Sequence, residues 1–147
     1  MAFDLEMDDG IIQRRRLAGD IDDHLKLTDF DNTAPIGTPL EVGIAPYARV
    51  LGDEGGEDRG TFGGLGPRTE QFAIGSIFYY LMRCYEPYDN ERLGECHDTT
   101  TVDLLLQREF PCTDNSQADI IRCCWLGMFD SIKQLSTEIR LLAAVEC

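Results

Sequence analysis

Residues 33–68 constrain this chain more than any other stretch. They hold four of its six prolines and nine of its fourteen glycines. Proline removes a backbone donor and fixes φ, while glycine loses the most conformational freedom when ordered. No long helix or central strand tolerates that density of both. The middle of the chain therefore reads as loop, most of all over Gly52–Gly66, which is glycine-rich and acidic. A loop of this length inside a domain is either functional or unordered. Regular structure must lie to either side of it.

On the N-terminal side, Leu25–Phe30 alternates, with Leu25 and Leu27 on one face and Lys26 and Thr28 on the other. That period predicts a short strand, approached through a turn at Asp20–Asp23. Residues 1–19 are polar and acidic, and read as an unordered N-terminus. On the C-terminal side, Phe72, Ile74, Ile77, Phe78, Leu81 and Met82 are spaced to bury one broad helical face. Thr69 is expected as the N-cap, Glu70 in the first turn, and Glu86–Pro87 as the stop. Shorter helices are expected over Thr101–Arg108 and over Gln117–Trp125, the latter closed by Gly127. A last helix is expected over Phe129–Val145, with Ile132, Leu135, Ile139 and Leu142 on one face. The predicted class is mainly α with a short β element near the N-terminus.

The 147 residues fit one domain, and 43% apolar content is enough for one core. Lys and Arg number 13 against 27 Asp and Glu, so the formal charge is −14. Such a chain lacks the basic face that phosphate backbones and anionic bilayers require. Nucleic acid and membrane are therefore not expected as partners. The longest apolar run, Phe72–Met82, is broken by Gly75 and Ser76 and falls short of the roughly 20 residues a bilayer span needs. The opening MAFDLEMDDG lacks a basic start and apolar core, which predicts a cytoplasmic or nuclear protein. Six cysteines stand at 84, 96, 112, 123, 124 and 147, and none forms C-x-x-C. Cys96–His97 and Cys123–Cys124 lack a second ligand pair at zinc spacing, so buried free thiols are expected.

A strand ending in Asp29-Phe30-Asp31-Asn32-Thr33 can put carboxylates where a metal and a phosphate meet. One resemblance is to the D-x-D-x-T nucleophile motif of haloacid-dehalogenase-like phosphatases. It would make Asp29 the nucleophile and Asp31 the general acid/base, with Asp53 and Asp58 at the metal. In that family several strand–helix units separate the two motifs. Here only about twenty residues of Pro/Gly-rich loop do.

The second resemblance covers about residues 20–145. Leu25–Asp31 is similar to the strand and D-F-G motif of protein kinases, which makes Asp29 a Mg²⁺ ligand. Ala45-Pro46-Tyr47-Ala48-Arg49 looks like the end of an activation loop, so residues 29–68 correspond to an activation-loop-like segment. Thr69–Leu81 resembles the buried central helix of the kinase C-lobe, including its glycine at Gly75. Arg83–Tyr88 resembles the G-x-x-P-F exit from that helix. Ile121–Trp125 looks like the I-x-x-C-W element, and an amphipathic helix follows it, as in kinases. In flavour the series resembles divergent fungal-type protein kinases. It implies a partial kinase C-lobe over 20–147, with helices from 69 onward and with Glu70, Gly75 and Trp125 as structural positions. For the family it implies Ser/Thr phosphorylation with Mg²⁺ and ATP.

The same residues depart from a working kinase. No Gly-rich phosphate loop with its strand lysine and no H-R-D loop occurs in this sequence. The positions of the family's catalytic Asn and Asp would fall on Arg16 and Ile11. The D-F-G glycine is Asp31, the helix-start Asp is Glu70, and no A-P-E glutamate stands next to Arg49. Kinase catalysis is almost wholly positioning and charge stabilisation. The expectation is a truncated or degenerate kinase-like protein, either a fragment of an active Ser/Thr kinase or a pseudokinase remnant that acts by binding, with no catalytic residues in the sequence as it stands. Without an N-lobe, Phe30, Ile36 and Leu40 would be exposed apolar surface for a protein partner. The alternative, from a different class, is an acidic protein-interaction module.

Overall fold

The computed structural model describes residues 16–19, 25–28, 34–89, 97–112 and 116–145. Near the N-terminus, strands β1 (Arg16–Gly19) and β2 (Leu25–Thr28) form an antiparallel hairpin. Arg16 pairs with Thr28 and Gly19 with Leu25. The strand expected over Leu25–Phe30 is thus present as far as Thr28. Residues 16–19, expected to be unordered, are instead its partner strand. A lone strand leaves its backbone donors and acceptors unpaired, and pairing supplies them.

Residues 34–66 contain no α-helix, as their composition demands, yet the segment is folded on itself. An isolated bridge joins Pro39 to Gly64. Around it Gly37 N–H donates to Leu65 C=O (2.7 Å), Leu65 N–H to Thr38 C=O (2.8 Å) and Leu40 N–H to Gly63 C=O (2.8 Å). Further in, Leu51 N–H donates to Thr61 C=O and Gly60 N–H to Leu51 C=O. Two 3-10 turns over Asp53–Asp58, broken at Gly56, close the tip. Short pairings and turns meet the backbone's needs where proline and glycine forbid long elements.

Four helices follow: α1 (Pro67–Arg83), α2 (His97–Leu106), α3 (Ser116–Leu126) and α4 (Ile132–Val145). α1 starts three residues earlier than expected. Its N-cap is Gly66, not Thr69, with Pro67 in the first helical position, where a missing N–H costs nothing. Thr69 serves as the third residue, its hydroxyl accepting from Gly66 N–H and donating to Gly66 C=O, both at 2.9 Å. α2 lies four residues upstream of its expected start, and α4 starts at Ile132 because Ser131 caps it, Oγ accepting from Gln134 N–H. Gly127, at φ 68°, ends α3 where a left-handed residue is needed.

The core gathers Phe72, Tyr79, Tyr88, Leu105, Ile121 and Trp125. Trp125 stacks on Phe110 at 5.2 Å between ring centroids and lies 5.6 Å from the Tyr79 ring. α1 packs chiefly on α3. The face it buries runs through Gln71, Phe72, Gly75, Ser76 and Tyr79. Ile74, Ile77, Phe78 and Met82 are half-buried and Leu81 is exposed, so the face is rotated from the one its bulky residues define. The rotation follows from Gly75: a Cβ there would sit 2.8 Å from Cys124 Cβ, which lets α3 come closest on that side. On α4, Ile132 and Leu135 are buried and Ile139 and Leu142 half-buried, as the spacing predicts.

Candidate functional site

The functional candidates meet where the 34–66 segment lies on α1. Ser76, fully buried, donates to Pro46 C=O at 2.6 Å and accepts from Trp125 Nε1–H at 3.0 Å. One hydroxyl thus joins the loop, α1 and α3, using both its donor and an acceptor lone pair. Gln71 makes a second tie. Its Nε2 donates to Pro67 C=O and to Phe129 C=O, both at 3.0 Å, and its Oε1 accepts from Phe129 N–H at 3.1 Å. That fixes the α3–α4 connection to the first turn of α1.

Downstream of Pro46, the Tyr47 hydroxyl donates to Glu86 Oε1 at 2.8 Å. Burial and the Glu86 carboxylate together push the Tyr47 phenol further above its ordinary value, so it stays a donor. Arg49 is buried. Its guanidinium lies 5.7 Å from the centre of the Phe72 ring and pairs with Glu54 at 2.5 Å. Burial lowers the basicity of Arg49, and Glu54 works against that loss. For Glu54, burial raises the pKa, but hydrogen bonds from Arg49 and the backbone outweigh it and the net shift is downward. The carboxylate that Arg49 lacks beside it in sequence is therefore supplied five residues on, within the same segment.

Gly75 and Trp125 lie against each other, with Trp125 Cδ1 3.1 Å from where a Gly75 Cβ would sit. Glu70 is the fourth residue of α1, half-buried, inside the helix rather than ahead of it. Asp29, Phe30 and Asp31 lie outside the described residues, so the Mg²⁺ assignment to Asp29 and the phosphatase pairing of Asp29 with Asp31 rest on sequence alone. Asp53 and Asp58, the metal carboxylates of the phosphatase pattern, are exposed on the 3-10 turns, and Asp53 pairs with Arg59 at 2.8 Å. Among the described residues, no three His, Cys, Asp or Glu side chains stand where they could share a metal ion. Cys96 is outside the described residues. Burial, aided by Cys123, pushes the Cys124 thiol up to about 12, and burial with Asp119 raises that of Cys123 despite Arg122. Neither is an activated nucleophile.

Ile36 (53% exposed), Val42 (64%) and Ile44 (58%) stand out from a segment whose backbone is fixed beneath them, while Leu40 is half-buried. Among the described residues, no helix is long and apolar enough to cross a membrane. Sequence reasoning missed Ser76, Gln71 and Glu54. A serine inside an apolar run and a glutamine next to Phe72 were the available signals for the first two. No family model matches the chain, and neither a curated protein nor a solved structure matches it significantly.

Proposed function

We propose that this chain carries the core of a protein-kinase-like C-lobe and acts by binding a protein partner, without phosphotransfer of its own. The observation that carries this reading is the close approach of Gly75 to Trp125. The central-helix-like and I-x-x-C-W-like segments, read separately from sequence, pack on each other through their two distinctive residues. A second observation supports it. Cys84 stands at the glycine position of the G-x-x-P-F pattern, and its φ of 61° is the conformation glycine favours. Pro87 and Tyr88 of the same pattern are buried, and Tyr88 donates to Glu109 C=O at 2.9 Å.

The partner we infer is a basic protein segment with apolar side chains. Ile36, Val42 and Ile44 supply the apolar contact, Glu41 stands exposed among them, and the chain's −14 charge favours cationic ligands. Mg²⁺ and ATP, which the family resemblance implies, have no role in this proposal. The decisive experiment pairs an assay of Mg·ATP-dependent phosphotransfer with a titration of a basic peptide at several salt concentrations. A chain that transfers no phosphate and binds the basic peptide with strong salt dependence is the expected result. Phosphotransfer that disappears in Asp29→Ala would overturn the non-catalytic reading. Hydrolysis of a generic phosphomonoester lost in Asp29→Asn would favour the phosphatase.

A further inference from the structure

In a chain of charge −14, one spot carries the opposite excess. Arg49 and Arg68 converge on the same oxygen, Glu54 Oε1, at 2.5 Å and 4.0 Å. Gly52 N–H donates to that oxygen at 3.3 Å. The end of α2 lies against the same turn, with Leu106 C=O 3.4 Å from where a Cβ on Gly52 would be. Arg108 stands two residues beyond. The charges of Arg68 and Arg108 both weigh on Arg49. Three guanidiniums thus gather about one carboxylate, that of Glu54. Among the described residues, Arg108 makes no ion pair, and Arg68 reaches Glu54 only at the limit of one.

The backbone adds an independent observation. Arg108 has φ 59° and closes α2 with a left-handed cap. Its N–H donates to Leu105 C=O (3.1 Å), and Glu109 N–H donates to Leu104 C=O (2.9 Å). α3 makes the same pair of bonds with Gly127 at the corresponding place, where Gly127 N–H donates to Cys124 C=O and Met128 N–H to Cys123 C=O. Glycine adopts that conformation without strain and arginine does not. The cap itself therefore gains nothing from an arginine side chain.

We propose that Arg68 and Arg108, flanking the Arg49–Glu54 pair, form a binding site for a phosphate dianion of the phosphomonoester class. Guanidiniums match the oxygens of such a group in forked, charge-assisted hydrogen bonds. Arg68 is the second residue of α1, so the positive end of that helix adds to the field. The paired bonds of the left-handed cap occupy two carbonyls of the last turn of α2, which limits their repulsion of an anion. The −14 charge does not cancel the site, because distant charges are screened beyond about 8 Å at physiological ionic strength. The proposal does not depend on the kinase-like reading.

The test is calorimetric titration of the full chain with inorganic phosphate and with a phosphoserine peptide, at ionic strength matched with chloride. The wild type should bind phosphate, and Arg68→Gln and Arg108→Gly should each weaken binding about tenfold, which is about 1.4 kcal/mol. Arg122→Gln, an exposed arginine on α3, should leave it unchanged. Arg108→Gly should also raise the melting temperature in phosphate-free buffer, a combination that a purely structural role cannot give. A peptide that binds more tightly than phosphate supports the site and assigns it to a phosphorylated protein; equal affinity supports it and assigns it to the free anion. No binding above the chloride control overturns the proposal, as does equal weakening by Arg122→Gln or unchanged affinity in Arg108→Gly.

Discussion

Replacing Gly75 by alanine sets two effects against each other. Alanine is favoured over glycine within a helix by about 1 kcal/mol. Against that, the new Cβ would meet Cys124 Cβ at 2.8 Å, Trp125 Cδ1 at 3.1 Å and Ile121 C=O at 3.2 Å. Carbon atoms pack best at about 3.5–4.0 Å, so α1 and α3 must part by roughly 1 Å. None of the three atoms is the end of a flexible chain. A shift of that size stretches the Trp125–Ser76 bond, now 3.0 Å, past its useful range. Overpacking costs about 1–3 kcal/mol, and a lost buried hydrogen bond about 1 more. After the helix gain, the net destabilisation is about 2 kcal/mol, or roughly 4–8 °C in melting temperature for a domain of this size. Thermal unfolding followed by circular dichroism at 222 nm reads it directly. Cys124→Gly removes the atom in closest contact, so the double variant should be less destabilised than the sum of the two single ones. A Gly75→Ala chain that melts at or above the wild-type temperature would show that helix propensity wins, and would refute the close α1–α3 contact.

Other outcomes follow from the same geometry. Cys84→Gly relieves a left-handed residue at the end of α1 and should stabilise the chain by about 1 kcal/mol, read from denaturant midpoints. Thr101→Val should leave stability unchanged or raise it, because the Thr101 hydroxyl is buried with no hydrogen-bond partner among the described residues. Glu54→Gln leaves the Arg49 cation buried beside a neutral amide and should cost about 3 kcal/mol. The Glu54 carboxyl is held below its ordinary value in the folded chain, so its contribution to stability is complete above the unfolded value of about 4.5. It is lost as pH falls through the lower, folded value, and the acid limb of a stability–pH curve should flatten in Glu54→Gln. Thiol reagents near neutral pH should modify exposed Cys84 and Cys112 well before Cys124, which should react only on unfolding.

The helices were legible in sequence because their apolar residues repeat at helical spacing, and because Gly127 marks a chain reversal. Their starts were less legible. Thr69 fits an N-cap by residue type, but Pro67 takes the first helical position and moves the cap to Gly66. The buried face of α1 was misplaced because spacing counts large side chains, whereas the closest helix contact is made by the smallest one. Gly75 and Trp125 were singled out separately; that they touch is a tertiary fact. The Arg49–Glu54 pair was invisible because a carboxylate was sought beside Arg49, while a 3-10 turn brings one back from five residues away. The loop character of residues 34–66 followed from composition, whereas Pro67 and Arg68, expected as loop, open α1. The order of the loop did not, since the bonds that fix it use backbone atoms and carry no side-chain signature.

The chain has a single tryptophan, and it sits at the junction of α1, α3 and the 34–66 segment. Its indole N–H and the Pro46 carbonyl share one serine hydroxyl, and its ring lies on Phe110 just beyond α2. The protein thus has a built-in optical probe whose environment depends on all of these pieces being docked together. A shift in its emission maximum reports assembly of the whole junction rather than the melting of one helix. If emission and helical ellipticity change at different temperatures, the difference measures how far the helices survive once the loop has let go.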